Sequence, residues 1–302
     1  MALKATLRRL ADGHAFLSVL LNFRRLANGY QPIFLDYKVD AVPRFGYGKP
    51  AHPELSRILA NNDAQYIKVL TQFLGLSEDL LRIPLREPEA SPEPSWLHDW
   101  LDGLDTFALY GFVATRNPAL YLEVGSGYST KVVRRAIGGH SLRTKIVSID
   151  PHPRAEIDVL CDDIVRQPLE KCDLKVFDSL MAGDILFMDG SHRCFMNSDV
   201  TVLFLEILPR LKSGVLVHLH DIFLPLDYPP YWELRYYPHR YWSEQYLLAA
   251  SLLAGESAYD IVLPNHYISI TERLTGCLDR FWSDARLKGV PRGGSSFWIQ
   301  IR

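Results

Sequence analysis

The chain has 302 residues, of which 48% are hydrophobic and 23% are charged, and these fractions are ordinary for a globular protein. They exclude a disordered, collagen-like or low-complexity chain, and the length predicts one large domain or two of ordinary size. Thirty-three basic and 35 acidic residues give a formal net charge of -2, and this near balance argues against a nucleic-acid partner.

The N-terminal part of the chain predicts a helical extension. Apolar residues recur at helical spacing over 3–28, with arginines on the other face, and 53–81 predicts one or two further helices. Four prolines then fall between residues 84 and 94, a density that neither a helix nor a central strand tolerates. We therefore expect residues 1–95 to form a helical extension that serves as a cap or a homodimer contact, ahead of a domain over 96–302.

After the prolines, short apolar runs alternate with amphipathic segments. Strands are predicted at Leu120–Val124, Lys145–Ile149, Asp163–Arg166, Asp184–Met188, Val215–Leu219, Asp260–Leu263 and Ser296–Ile301. Helices are predicted at 129–137, 155–160, 174–180, 199–208 and 243–254. The alternation predicts an α/β fold, a Rossmann-like doubly wound seven-stranded sheet with helices on both faces.

A tight glycine turn, EVGSGYST at residues 123–130, joins the first predicted strand to a helix. Its glycines permit close approach of a ligand to the backbone, the new helix offers free N–H groups, and Ser129 or Thr130 can cap that helix. Thr130 stands where the dinucleotide fingerprint has its third glycine, which disfavours a pyrophosphate. Glu123 suits a ligand ammonium group, and Asp150 after the second strand suits two ribose hydroxyls. The turn therefore predicts a nucleoside that carries an amino acid.

This pattern resembles the class I S-adenosylmethionine-dependent methyltransferases, in particular a subgroup acting on small molecules or sugars. The resemblance covers 105–302 and rests on motifs at 123–131, 149–151, 184–192, 214–223, 242–248 and 294–298. It implies S-adenosyl-L-methionine as the cofactor, held by Glu123, Gly125, Ser126, Gly127, Ser129, Thr130, Asp150, Leu169 and Glu170. Asp150 would hold the ribose, and Leu169 and Glu170 would flank the adenine.

Four polar side chains, Asp189, His192, His220 and Asp221, follow the fourth and fifth strands. Ligands bind at the carboxyl ends of such strands, so these side chains should converge beside the cofactor's methyl group. A neutral hydroxyl needs a base at pH 7, and His192 or His220 can supply it with Asp189 or Asp221 fixing the imidazole. Alternatively the same residues bind a divalent cation. By the resemblance, Asp189 and Asp221 match metal-binding acids of sugar O-methyltransferases.

The sequence also predicts positions for several other residues near these motifs. His218 shares a strand face with His220 but lies deeper, so a core position is expected. The segment 225–246, rich in tyrosine, tryptophan and proline, is predicted to lie over the site and stack on a sugar or aromatic acceptor, or to form a rigid flap or dimer contact. Glu244 and Gln245 begin a helix and either reach the pocket or cap the helix.

The spacing of the cysteines and the hydropathy of the chain indicate in which cellular compartment the protein is expected. Cys161, Cys172, Cys194 and Cys277 form no C-x-x-C pair in a chain too long to need disulfides, so reduced thiols and a cytoplasmic protein are expected. No apolar stretch approaches the ~18 residues of a membrane span, so stable membrane insertion is not expected.

Together these observations predict an S-adenosylmethionine-dependent methyltransferase that acts on a hydroxyl of a small molecule or glycan. Two alternatives remain open at this stage. One is a metal-dependent hydroxylase-like or otherwise non-methylating relative that uses the same pocket. The other is an adenosylmethionine-binding protein without turnover.

Overall fold

The computed structural model describes residues 23, 27–28, 36, 39–40, 42–88, 90–153, 156–233, 240–255 and 258–302. The amphipathic helix predicted over 3–28 lies outside the described residues, apart from three isolated positions. The chain divides into two compact units. The smaller comprises the residues up to 52 together with 226–242, and the larger comprises 53–225 together with 243–302.

The larger unit contains a seven-stranded sheet, which confirms the predicted Rossmann-like fold. Its strands are β1 (Leu120–Val124), β2 (Lys145–Ile149), β3 (Asp163–Val165), β4 (Ile185–Met188), β5 (Leu216–Leu219), β6 (Tyr259–Pro264) and β7 (Phe297–Ile301). Their order is β3-β2-β1-β4-β5-β7-β6. Strands β1 to β5 are parallel, while β7 pairs antiparallel with both β5 and β6.

All the described α-helices but one belong to the same unit as the sheet. The helices are α1 (Pro53–Ala60), α2 (Asp63–Leu74), α3 (Ser77–Leu80), α4 (Gly103–Arg116), α5 (Tyr128–His140), α6 (Asp199–Val202), α7 (Pro230–Glu233), α8 (Glu244–Leu253), α9 (Asn265–Ser269), α10 (Glu272–Thr275) and α11 (Asp279–Trp282). Helix α7 belongs to the smaller unit. Helix α6 continues as a π-helical turn over Leu203–Ile207, a departure from the regular helix predicted there.

Two predicted helices are shorter and tighter than expected. The segments predicted as helices at 155–160 and 174–180 contain 3-10 turns at Asp158–Leu160 and Leu174–Ser179. Pro151 and Pro153 lie shortly after the end of β2, and proline disfavours a helix interior, which limits the helix that can form before β3. The sheet is therefore covered less regularly at its β3 edge than the sequence pattern predicts.

The central strands are buried on both faces. Every residue of β4 and β5 is buried, which explains why β4 is a continuous apolar run and why His218 is the one polar residue of β5. Helices α1 to α3 join the same core: the ring of Phe73 packs edge-on against Phe112 at 4.9 Å between centroids. Trp96 likewise packs against Trp282 at 6.0 Å.

The domain boundary near residue 95 stays a prediction. The aromatic packing joins residues 53–96 to the core of the sheet, and both lie in the larger compact unit. A role of residues 1–95 as an acceptor cap or dimer contact stays a prediction.

The smaller unit has its own contacts. The Asp227 carboxylate accepts hydrogen bonds from the backbone N–H groups of Arg44 and Phe45 at 2.6 and 2.9 Å. Trp242 packs edge-on against Trp232, and the guanidinium of Arg240 lies 4.6 Å from the centre of the Trp242 ring. Most of the aromatic segment predicted to cover the site lies in this unit, with 234–239 outside the described residues, so its covering role stays a prediction.

Among the described residues, no helix is long and apolar enough to cross a membrane. All four cysteines are free thiols, as expected.

Candidate active site

The two glycines of the turn serve different purposes. Gly125 has φ of +80°, and a Cβ there would lie 1.9 Å from the backbone oxygen of Asp189. The approach of the chain after β4 therefore requires glycine at this position. Gly127 has an extended φ of 166°, and a Cβ there would meet no atom within 4 Å. The turn is thus closed behind Gly125 and open in front of Gly127, where a ligand can approach.

Glu123 lies beneath the turn and is fully buried. Its carboxylate accepts hydrogen bonds from the hydroxyls of Ser129, at 3.0 Å, and Thr130. The Thr130 hydroxyl also accepts the N–H of Gly127 at 3.2 Å. Burial raises the pKa of Glu123 to about 7, although these hydroxyls favour the ionised form. Both carboxylate oxygens are engaged with the turn, and the predicted contact with a ligand ammonium group stays a prediction.

Asp150 fastens the turn to the end of β2. Its carboxylate accepts the backbone N–H groups of Ser126, at 2.8 Å, and His152, at 2.7 Å. Each oxygen retains a second lone pair, and the side chain is partly exposed. The Ser126 hydroxyl lies 2.7 Å from that of Ser148 on β2. The geometry places a carboxylate with spare acceptor capacity beside the glycine turn.

A cavity of about 280 Å³ lies in front of the turn. Its floor is Gly125–Tyr128, and one wall comes from the segment between Glu87 and Leu101, which precedes α4 and includes His98 and Trp100. Asp189 lines the same cavity. Leu169 is buried in a 3-10 turn and Glu170 is half-buried, and neither lines this cavity, so their contact with adenine stays a prediction.

His192 is the centre of the second group of predicted residues. It is a non-glycine residue with φ of +58°, and its side chain is only 4% exposed. Its Nδ1 lies 2.8 Å from Glu244 Oε2, and its Nε2 lies 3.1 Å from Asp189 Oδ1 and 3.6 Å from Asp221 Oδ2. Burial opposes protonation of His192, but the carboxylates outweigh it and hold the pKa well above its ordinary value.

Glu244 is brought to His192 by the start of α8. The N–H of Ser243 donates to the His192 carbonyl at 2.8 Å, and the Ser243 hydroxyl accepts the N–H of Cys194 at 2.9 Å. Gln245, the next residue, accepts the N–H of Phe223 instead, at 2.9 Å. Of the two residues singled out at this helix start, Glu244 thus joins the site and Gln245 supports the chain after β5.

His220 is held at both ring nitrogens. Its Nε2 lies 3.2 Å from the carbonyl oxygen of Trp100, and its Nδ1 lies 3.3 Å from the hydroxyl of Ser296. Burial lowers the pKa of His220, but the charges of Asp221 and Asp189 raise it further, so the net shift is upward. Since both ring nitrogens contact protein oxygens, His220 has no free lone pair to take a proton from a bound hydroxyl. The geometry therefore favours a structural role for His220 over that of a general base.

A network from the last motif holds the end of β5. Asp221, with φ of +57°, accepts the hydroxyl of Ser295 at 3.1 Å. The fully buried Asp105 of α4 accepts the backbone N–H groups of Ser295, at 2.8 Å, and Ser296, at 2.9 Å. Asp105, Ser295 and Ser296 are not predicted from the sequence as individual site residues. The motif at 294–298 was the available signal in the sequence. A motif match supports the resemblance, but it does not show which residues its side chains contact.

Three of the four predicted residues form a group that can hold a cation. One ligand atom each from Asp189, His192 and Asp221 lies within 4.8 Å of the others. Two carboxylates and one imidazole suit a divalent metal ion. The carboxylate of Glu244 behind the Nδ1 atom of His192 is the arrangement that orients metal-binding histidines. His220 does not belong to this group, so the four-residue metal set considered from the sequence is reduced to three.

His218 occupies the core, as expected from its place on β5. It is fully buried between the rings of Phe187 and Trp298, at 4.5 and 4.3 Å between centroids. Burial holds its pKa well below the ordinary value. Neither ring nitrogen has a hydrogen-bond partner among the described residues. His218 is therefore a neutral core histidine whose buried polar atoms make no hydrogen bond there.

One family model matches the chain, described as a methyltransferase domain and covering residues 122–222, about a third of the chain. The matched segment begins in β1 and ends just after β5, so it includes the glycine turn, Asp189, His192, His220 and Asp221. The resemblance drawn from the sequence motifs is confirmed over this segment. No curated protein matches the chain.

Several solved structures are similar to the chain at low identity. The methyltransferase PaMTH1 of Podospora anserina, with SAH bound, is 16% identical with a TM-score of 0.40, covering 85% of this chain and 100% of its own. The Bacillus cereus O-methyltransferase is 15% identical with a TM-score of 0.40, covering 78% and 91%. TomG of Streptomyces achromogenes is 14% identical with a TM-score of 0.41, covering 75% and 95%. Similarity at this level does not assign a function.

Proposed function

We propose, from the premise that residues 122–222 belong to the methyltransferase-domain family, that the protein transfers a methyl group from S-adenosyl-L-methionine to a hydroxyl of a small molecule or glycan. One observation carries the proposal. Asp189 lines the cavity in front of the glycine turn and also bonds to His192 in the polar cluster. A donor at the turn and an acceptor at the cluster would therefore meet at Asp189.

The turn supplies what the donor requires. Open space in front of Gly127 admits the methionine part close to the backbone, and the N-terminus of α5 begins directly after it. The spare lone pairs of Asp150 suit the ribose hydroxyls. Glu123 acts from below, since its hydrogen bonds to Ser129 and Thr130 hold the turn in shape.

For activation of the acceptor, the contacts favour a metal ion over a histidine base. Both ring nitrogens of His220 are engaged with protein oxygens, and the Nε2 of His192 faces the carboxylates of Asp189 and Asp221, a position that suits a cation shared by these three groups better than an acceptor hydroxyl. Asp189, His192 and Asp221 would hold the cation, with Glu244 fixing the hydrogen of His192 on Nδ1. A divalent cation there supplies Lewis acidity that lowers the pKa of a contacting hydroxyl.

The hydroxylase-like alternative is less well supported. Non-haem iron oxygenases bind their metal through two histidines and one carboxylate. The group here has one histidine and two carboxylates, a set that suits Mg²⁺ or Mn²⁺ better. We therefore keep methyl transfer with metal assistance as the proposed activity.

The direct test is transfer of a labelled methyl group from S-adenosyl-L-methionine to a panel of catechols, phenols and saccharides. We expect transfer to at least one class, lost on addition of EDTA and restored by Mg²⁺ or Mn²⁺. Asp221→Asn and His192→Ala should each lower the rate at least about a hundredfold, since several kcal/mol of transition-state stabilisation is removed. Asp260→Asn, at an exposed ion pair on β6, is the control. Undiminished transfer in both site variants would refute the assignment.

Glu244 provides a finer test of the metal site. Glu244→Ala should weaken Mn²⁺ binding about 10–100-fold, the usual effect of losing the carboxylate behind a metal-binding histidine. Glu244→Gln keeps an acceptor oxygen for Nδ1 and should lose less. Mn²⁺ binding followed by electron paramagnetic resonance separates the two variants, and equal affinity in wild type and Glu244→Ala would contradict the arrangement.

A further inference from the structure

The chain after β5 is held by the two serines that precede β7. The backbone carbonyl of Ser295 accepts the N–H of Ile222 at 2.6 Å, and the Ser295 hydroxyl donates to Asp221 Oδ1 at 3.1 Å. The hydroxyl of Ser296 lies 3.3 Å from Nδ1 of His220. Three consecutive residues are therefore held by one pair of serines. The middle one, Asp221, is a non-glycine residue with φ of +57°.

The two carboxylate oxygens of Asp221 face different partners. Oδ2 lies 3.6 Å from Nε2 of His192, within the group of three residues that can hold a cation. Oδ1 accepts the Ser295 hydroxyl, which has a single hydrogen and lies nearer to Asp221 than to Asp105, at 3.1 against 3.4 Å. The Nε2 of His220, 3.7 Å from Oδ1, lies beyond hydrogen-bond distance. The hydrogen bond from Ser295 thus fixes the rotation of the carboxylate and leaves Oδ2 directed at His192.

Asp105, in the first turn of α4, holds the two serines from the other side. Its carboxylate accepts the backbone N–H groups of Ser295, at 2.8 Å, and Ser296, at 2.9 Å, and a side-chain N–H of Asn265 at 2.8 Å. All four residues are at most 5% exposed. Gly294 leaves room for this contact, since a Cβ there would lie 2.9 Å from Asp105 Oδ1. Asp105 does not line the cavity in front of the glycine turn, so it acts only through the residues that it hydrogen-bonds.

We propose that Asp105, acting through Ser295, is a positioning residue for the cation ligand Asp221. This inference rests on the proposed function, since it assigns a support to the metal ion that the proposed transfer uses. Because three N–H donors converge on one buried carboxylate, the two serines have one position in which every donor is satisfied. In that position the Ser295 hydroxyl reaches Asp221. Carboxylates that bind metal ions are commonly oriented by such hydrogen bonds.

The test measures the affinity for Mn²⁺, read from the electron paramagnetic resonance signal of the free ion. Ser295→Ala removes the hydroxyl that reaches Asp221 and should weaken Mn²⁺ binding about tenfold to a hundredfold. Ser296→Ala removes the same atom one position along, where it meets His220 instead, and should keep the Mn²⁺ affinity within about threefold of wild type. If the serines served stability alone, neither replacement would change the Mn²⁺ affinity of the folded protein.

Asp105→Asn tests the carboxylate itself. The amide keeps the shape of the side chain, but its NH₂ group would face at least one of the three donors, so the hydrogen bonds cannot all be kept. We expect Mn²⁺ binding about tenfold weaker than in wild type. In the double variant with Ser295→Ala, the loss should be smaller than the product of the two single losses, because both replacements act on Asp221. Asp260→Asn, at an exposed ion pair on β6, is the matched control and should bind Mn²⁺ as wild type does.

The outcomes separate this positioning role from the proposed function. Circular dichroism identifies the folded variants, and Ser295→Ala is decisive if Asp105→Asn does not fold. Wild-type Mn²⁺ affinity in folded Asp105→Asn or in Ser295→Ala, or equal weakening by Ser295→Ala and Ser296→Ala, would overturn the positioning role and leave the metal site in place. Losses that multiply in the double variant would overturn the route through Ser295. Absence of Mn²⁺ binding by the wild-type protein would overturn the metal ion of the proposed function and this inference together.

Discussion

The pH dependence of stability should report the burial of Glu123. Its carboxyl group is fully buried beneath the glycine turn, and burial raises its pKa to about 7 from an ordinary 4.5. The folded chain therefore binds this proton more tightly than the unfolded chain does. The resulting stability is complete below pH 4.5 and is lost as the pH rises through 7.

The size of the effect follows from the same two values. At 1.36 kcal/mol for each tenfold change in proton affinity, the difference corresponds to about 3 kcal/mol over the whole range. Most of it, about 2 to 3 kcal/mol, falls between pH 5 and pH 8. Glu123→Gln retains the shape of the side chain but cannot titrate. The free energy of unfolding of wild type minus that of Glu123→Gln should therefore decrease by this amount from pH 5 to pH 8.

Urea unfolding of both proteins at several pH values in this interval would measure the difference. Other titrating groups contribute equally to the two proteins and cancel. Glu206→Gln, the same replacement at an exposed position, should show a difference from wild type that does not vary with pH. A constant difference for Glu123→Gln, or one that grows with pH in favour of wild type, would refute the reasoning about burial.

Three other predictions concern residues around the site, each checked by urea unfolding. Gly125→Ala should lose about 1–3 kcal/mol of stability, because its Cβ would lie 1.9 Å from a backbone oxygen, whereas Gly127→Ala has open space and should unfold like wild type. Ser296→Ala removes the Nδ1 partner of His220 and should lose about 1 kcal/mol. His218→Leu removes two buried nitrogens that have no partner in the described chain and should be neutral or stabilising; a loss above about 2 kcal/mol would contradict this.

The sheet could be predicted well because its signal is local. Continuous apolar runs bounded by turns fix β4 and β5 to within a residue, and every residue of these strands is buried. Helix α4 was not predicted, since its residues from Gly103 to Val113 are all buried and an all-round apolar helix shows no amphipathic period. The reversed direction of β7 likewise has no local signature in its sequence.

The site could be predicted only as far as topology determines it. The prediction that Asp189, His192 and Asp221 lie close together is correct, because neighbouring parallel strands end at one edge of the sheet. The hydrogen-bond partners that decide their chemistry come from distant segments. Glu244 lies 52 positions from His192 and Trp100 lies 120 from His220, and no local pattern encodes such pairings. The sequence therefore indicated candidate bases, while the structure indicates a charged or metal-binding group.

Donor binding at the glycine turn is the first requirement of the proposed methyl transfer. Calorimetric titration of S-adenosyl-L-methionine into the wild-type protein and into Gly127→Val tests it. We predict one donor bound per wild-type chain and binding weakened more than about tenfold in Gly127→Val, whose side chain would enter the open space in front of the turn. Folded wild-type protein that binds no S-adenosyl-L-methionine, or that binds NAD more tightly, would contradict the account.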